Sequence, residues 1–115
     1  MARLALAAVL ALSAAAPAVA QDGAQIFNSQ CKMCHQAQST PMAPTLKGVY
    51  GAKAASRPGF KYSDALQKKG GTWNDATLDA WLSNPQGYAP GTKMLIKVPQ
   101  PERRKALIGY LKTLK

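Results

Sequence analysis

The chain has 115 residues, of which 15 are lysine or arginine and five are aspartate or glutamate, so its formal net charge at pH 7 is +10. This length accommodates one domain. A basic field of this size attracts acidic protein partners and anionic membrane surfaces, whereas nothing in the organisation of the sequence is typical of nucleic-acid binding. A merely solubilising charge stays open as the alternative.

Residues 1–20 have the three parts of a secretory signal peptide. A short positive start ends at Arg3, an apolar run covers residues 4–16, and a small-residue cleavage site follows at residues 18–20. Cleavage would leave a mature domain of residues 21–115 with 14 basic residues against five acidic ones, a net charge of +9. An uncleaved membrane tether is the weaker alternative, because the apolar run is short for a membrane span.

The first predicted helix covers residues 23–34. Asp22 is a candidate N-cap, and Ile26, Phe27 and Cys31 recur on related helical turns. This helix would deliver both cysteines of the sequence to one side.

The pattern Cys-x-x-Cys-His occupies residues 31–35 and contains the only two cysteines and the only histidine of the chain. It is the attachment signature of a c-type haem. Two thiols three residues apart point the same way and can add to the two vinyl groups of one porphyrin, and the next imidazole then lies beneath the iron. We therefore predict Cys31 and Cys34 as thioether anchors and His35 as the proximal iron ligand.

Three other uses of these residues stay open at this point. A disulfide between Cys31 and Cys34 would close a loop too short to constrain much of the unfolded chain. A thioredoxin-like dithiol needs an alternation of strands and helices that the sequence lacks. A structural zinc site needs four ligands, and two cysteines with one histidine leave that set incomplete.

Residues 36–59 show no sustained periodicity and are punctuated by proline and glycine, so we predict a long loop. A loop of this length in a compact domain usually encloses something, and here that would be the haem edge. The Pro44 carbonyl is placed to accept the second ring proton of His35, which orients the imidazole as a ligand.

Three further helices are predicted. The first lies between Phe60 and Lys69, with Ser63 or Asp64 as its cap and a glycine pair after it. The second follows Asn74 as N-cap and stops at residues 84–85, with Trp81 and Leu82 buried. After a loop over residues 86–100, the last begins at Pro101, and Gly109 in its interior suggests a close helix crossing.

Because the one histidine is already used, the sixth position of the iron is filled by methionine, by another side chain or by water, or it is empty. Of the mature methionines, Met33 lies between the haem cysteines and Met42 lies on the histidine side. Met94 follows far along the chain in a loop shaped by proline and glycine, and is therefore the best candidate. Core packing of Met94 is the alternative.

Several ordered blocks make the mature chain resemble a class I cytochrome c, close to mitochondrial and short bacterial carriers. The blocks include Gly23 with Phe27, residues 31–35, residues 44–46, residues 58–65, Trp73, residues 84–85, residues 90–94 and residues 107–112. The resemblance implies an all-α fold of about four helices, with long loops wrapped around one covalent haem and the terminal helices crossing.

The resemblance also implies roles for individual residues. Gly23 and Phe27 would pack against Leu107 and Tyr110. Tyr62 and Trp73 would donate hydrogen bonds to a buried haem propionate with Thr92 nearby, and Met94 would be the axial ligand. The predicted cofactor-binding set is Cys31, Cys34, Pro44, Tyr62, Trp73, Trp81 and Thr92, and the predicted iron ligands are His35 and Met94.

Some positions depart from the family pattern. Ala52 and Leu66 stand where the family has an arginine and an asparagine near a propionate, so Trp73 and Tyr62, or water, would carry more of that contact. Trp81 replaces a tyrosine beside the ligand sulfur. Residues 86–87 replace two lysines of the partner-docking face.

These observations predict a soluble, monomeric, periplasmic one-electron carrier with no enzymatic activity. We place Lys32, Lys47, Lys93 and Lys97 around the haem edge, facing an acidic redox partner, with transient contact to anionic membranes. A cytochrome subunit dedicated to one dehydrogenase is a rival. A haem peroxidase or gas-binding protein with a labile sixth site is another, although the chain offers no distal histidine or arginine beside a plausible pocket to polarise bound peroxide.

Overall fold

The computed structural model describes Ala5 and residues 22–115. Apart from Ala5, the predicted signal peptide at residues 1–20 lies outside the described residues, and its cleavage stays a prediction. Regular structure in the described part of the chain is helical, with one isolated antiparallel bridge between Lys53 and Thr72. None of the helices within residues 22–115 combines the length and the apolar character needed to cross a membrane.

The helices of residues 22–115 run in the following order: α1 (Gly23–Ile26), continued by a π-helical segment (Phe27–Cys31), α2 (Asp64–Lys69), α3 (Asp75–Ser83), α4 (Pro85–Tyr88) and α5 (Pro101–Leu111). The predicted first helix is thus shorter, since it ends at Cys31 and not at residue 34. Helix α4 was not predicted, because a proline that stops one helix can also stand in the first turn of the next.

Side-chain caps set the starts of the middle helices, as predicted. The Ser63 hydroxyl accepts a hydrogen bond from Leu66 N at 3.2 Å and caps α2. Asn74 and Thr77 form a reciprocal capping box on α3, with Thr77 N donating to Asn74 Oδ1 at 3.0 Å. These local contacts satisfy backbone donors that a helix start would leave unpaired.

Helix α1 crosses α5 at Gly23, and this contact joins the two ends of the domain. A Cβ atom on Gly23 would overlap the Ala106 carbonyl oxygen and lie 2.8 Å from Tyr110 Cβ. The Phe27 and Tyr110 rings pack with centroids 5.2 Å apart. The expectation of a close crossing at Gly109 was wrong, because Gly109 is exposed and an added Cβ there would meet nothing within 4 Å.

Helix α3 packs on α5 and buries Leu78, Trp81 and Leu82, two of them as predicted. Arg104 of α5 fastens the preceding loop to both helices. Its Nε donates to Asp79 Oδ1 at 2.7 Å, and its Nη1 donates to the carbonyls of Val98 at 3.1 Å and Pro99 at 2.8 Å. The segment that follows Met94 is therefore held at its far end.

Candidate haem-binding site

The helices and loops enclose a largely apolar cavity of about 340 Å³, a volume within the range of cofactor sites. Every residue predicted for the site lines this one cavity: Cys31, Cys34, His35, Pro44, Tyr62, Trp73, Trp81, Thr92 and Met94. Residues separated by more than sixty positions in the sequence thus meet around one space.

The cysteines lie where the π-helical segment ends. Cys31 is buried, Cys34 is half-buried, and neither forms a disulfide. Burial, and secondarily the neighbouring Cys34, raises the pKa of the Cys31 thiol to about 11. A redox dithiol has a lowered thiol pKa instead, so this environment disfavours a thioredoxin-like reaction.

The backbone continues from Cys31 to His35 in a helical turn. His35 N donates to the Cys31 carbonyl at 2.9 Å, completing one more turn. Among the described residues, no three or more histidine, cysteine or acidic side chains gather into a cluster that could hold a metal ion. The three residues of the motif are therefore not part of a larger zinc-type cluster within residues 22–115.

The His35 ring is oriented by the loop that follows it. Its Nδ1 lies 2.9 Å from the Pro44 carbonyl oxygen, the contact expected from the sequence. Since a carbonyl only accepts, Nδ1 carries the proton, and the lone pair of the neutral ring is on Nε2. Burial lowers the pKa of His35, against a smaller opposing effect of the Pro44 hydrogen bond, and so favours the neutral imidazole that metals bind.

The three methionines within residues 22–115 differ in exposure. Met33 is 84 % exposed and Met42 67 % exposed, whereas Met94 is half-buried and packs against the core. Met42 and Met94 line the cavity and Met33 does not. Met94 is thus the methionine that combines burial with access to the cavity.

Gln86 of α4 holds the backbone on either side of this methionine. Its Nε2 donates to the Thr92 carbonyl at 2.7 Å and to the Met94 carbonyl at 3.2 Å. From the sequence we had interpreted Gln86 only as a missing docking lysine. The contacts show that Gln86 also binds backbone carbonyls, a role that no pattern in the sequence indicated.

One corner of the cavity is polar. Tyr62 accepts a hydrogen bond at its hydroxyl from Arg57 N at 3.1 Å, and burial raises the pKa of Tyr62. Trp73 is buried beside Trp81, with ring centroids 5.6 Å apart. Thr92 is buried and accepts a hydrogen bond from Ser63 Oγ at 3.4 Å.

Arg57 also lines the cavity at this corner, and its Nε is buried without a hydrogen-bond partner. Arg57 was not among the residues predicted for the site. Its only signal in the sequence is weak, an arginine directly before the Pro58-Gly59 turn. Haem has an apolar ring that ends in carboxylates. The cavity is an apolar space with polar donors at one corner, so its residues fit this cofactor.

The four predicted docking lysines are exposed, but they do not share one site. Lys93 lines the main cavity, and its Nζ donates to the Lys61 carbonyl at 2.8 Å. Lys32 and Lys47 line a second hollow beside His35, and Lys97 lines neither. Exposed apolar side chains also border the main cavity: Met42, Leu95 and Ile96.

Fold and site together define a small all-helical protein built around a covalently attached haem. The profile of the Cytochrome c family matches residues 20–115. Cytochrome c2 of Rhodomicrobium vannielii is 46 % identical over 95 residues, covering 79 % of this chain and 75 % of that protein. Cytochrome c of Gibberella zeae is 40 % identical over 94 residues, covering 78 % and 89 %.

Among solved structures, cytochrome cH from Methylobacterium extorquens superposes with a TM-score of 0.74 at 44 % identity, covering 79 % of this chain and 94 % of that one. The chain belongs to the cytochrome c family. It is an electron carrier and not an enzyme, and it carries one covalent haem c with its iron. The predicted class I cytochrome c fold is confirmed.

Proposed function

We propose that this protein is a periplasmic one-electron carrier whose iron is bound by His35 and Met94. The observation that carries the proposal is the geometry of His35, whose Nδ1 is 2.9 Å from the Pro44 carbonyl oxygen, leaving Nε2 as the ligand atom. Met94 lines the same cavity, and Gln86 restrains its backbone. When bound, the haem supplies a one-electron change between ferric and ferrous iron.

The chain's own residues have three tasks in this function. Cys31 and Cys34 anchor the cofactor. His35 and Met94 would both bind the iron, so that a change of its charge would need little rearrangement of the protein. The apolar lining excludes water, which together with a thioether ligand favours the ferrous state.

Replacing Met94 with alanine tests the sixth ligand. We expect the variant to lose the weak far-red band that the family resemblance associates with sulfur on ferric iron, and to bind carbon monoxide at once when reduced. The measurement is the optical spectrum of the haem-loaded protein in both oxidation states.

The matched control is Met42→Ala, because Met42 lines the same cavity but is mostly exposed. This variant should keep the band. If Met94→Ala retained the band, or if both variants lost it, Met94 would not be the ligand.

We further propose that the protein meets acidic redox partners at the mouth of the cavity. The basic excess of the chain and the position of Lys93 beside exposed Leu95 and Ile96 support this surface. The leader-like residues 1–20 support a periplasmic location. A freely diffusing monomer suits weak, salt-dependent encounters.

Reversing one charge tests the docking surface. Lys93→Glu should slow reduction by an acidic partner about tenfold at low ionic strength, since long-range attraction governs such encounters. The control is Lys105→Glu on α5, which makes the same charge change at an exposed lysine lining neither cavity. The rates should converge at high salt. Equal rates for both variants at low salt would place docking elsewhere.

A further inference from the structure

Arg57 has an unexplained donor in the wall of the cavity. Its Nε is one of two buried side-chain nitrogen or oxygen atoms without a partner among the described residues, the other being Arg103 Nε. Arg103 does not line the cavity. A buried, unpaired donor of a charged group destabilises the folded protein. A ligand that accepts this hydrogen bond would remove that destabilisation.

The rest of the Arg57 guanidinium is already fixed. Nη1 donates to the Lys47 carbonyl at 3.1 Å, and Nη2 donates to Ser56 Oγ at 3.4 Å. Gly48 makes room for the group, since a Cβ there would lie 3.0 Å from Nη1. The guanidinium is thus held in place by its own loop, and Nε is its one nitrogen without a partner.

Further donors line the same cavity as Nε. The Tyr62 hydroxyl oxygen accepts from Arg57 N, and no acceptor for the hydroxyl proton lies among the described residues. The buried indole of Trp73 lines the same cavity. No aspartate or glutamate lines it, and its charged residues are Arg57 and Lys93. A carboxylate of the cofactor would supply the acceptor that these donors lack.

We propose that Arg57 binds a haem propionate through Nε, as a partner of Tyr62, and replaces the arginine that the family has at the position of Ala52. Arg57 lies five residues after Ala52, next to Pro58, and would reach the carboxylate from there. The inference rests on the covalent haem of the family, and it holds whichever residue is the sixth iron ligand.

The pairing has a redox consequence. A propionate beside Arg57 has its negative charge compensated. Without the arginine that charge acts on the iron across a low-dielectric interior and stabilises the ferric state. We expect Arg57→Gln to raise the ferric-to-ferrous ratio at the wild-type midpoint about tenfold, which for one electron is a downward shift of about 59 mV.

The experiment compares three haem-loaded variants. Arg57→Gln removes the charge and the donor, and Arg57→Lys keeps the charge but removes the Nε donor. Arg103→Gln makes the same charge change at a half-buried arginine outside the cavity whose Nε is also buried. The readouts are the midpoint potential and the infrared redox-difference spectrum with haem isotopically labelled at its propionates. Far-UV circular dichroism checks that each variant is folded.

We expect the propionate stretching bands to shift in both Arg57 variants, the potential to fall most in Arg57→Gln, and Arg103→Gln to match the wild type in both readouts. If Arg57→Gln fails to fold, Arg57→Lys still decides, because its bands must shift. Unchanged bands in Arg57→Lys, or equal potentials in Arg57→Gln and Arg103→Gln, overturn the proposal.

Discussion

Replacing both Cys31 and Cys34 with alanine will leave a chain without covalent haem and without a cooperative thermal transition. The reason is the central cavity of about 340 Å³, which the helices surround but do not fill. At about 24 cal/mol per Å³ of cavity, leaving this space empty costs roughly 8 kcal/mol. That cost is of the same size as the net stability of a typical domain, about 5–15 kcal/mol.

The measurement is far-UV circular dichroism during a thermal melt of the double variant, compared with the haem-loaded protein. Met33→Ala is the matched control, since it changes an exposed residue between the two cysteines and should leave the melt unchanged. A double variant that kept full helicity and melted cooperatively would contradict the idea that the cofactor is the main support of the fold.

Gly23→Ala will lower the stability of the haem-loaded protein by about 2–3 kcal/mol, within the range for overpacked sites. The added methyl group would overlap the Ala106 carbonyl oxygen, a backbone atom that cannot rotate away. For a domain of this size, each kcal/mol corresponds to roughly 4–8 °C in melting temperature. Thermal melts or denaturant midpoints measure the loss.

Gly109→Ala, on helix α5, is expected to have the opposite effect on stability. Its new Cβ meets nothing within 4 Å, and alanine is favoured over glycine in a helix interior by about 1 kcal/mol. The variant should therefore gain stability. If both substitutions destabilised the protein equally, the crossing point of α1 and α5 would have to be assigned differently.

This contrast shows where the sequence was informative. The caps at Ser63 and Asn74 were predictable, because each forms hydrogen bonds within three residues along the chain. The glycine at the crossing, Gly23, followed only from the resemblance to the family, because helix propensity penalises both glycines and does not tell them apart. Only the position of the other helix decides which one needs the missing side chain.

The site divides in the same way. The contact between His35 and Pro44 follows from a known pairing of an imidazole with a nearby carbonyl, and it could be predicted. The positions of Arg57 and Gln86 could not. Arg57 lines the cavity with a buried Nε, and Gln86 binds carbonyls six and eight residues further along the chain. Neither contact produces a periodic pattern or a motif in the amino-acid sequence.

The contacts of Arg104 bear on how the molecule moves. This one side chain joins α3, α5 and residues 98–99, and Val98 N also donates to the Leu82 carbonyl at 2.7 Å. The segment after Met94 is therefore not independent of the helices, because opening its far end breaks hydrogen bonds to α3 and α5, and α5 is packed on α1 at the other end of the domain. Local breathing beside the cavity is in this way coupled to the cooperative opening of the whole domain.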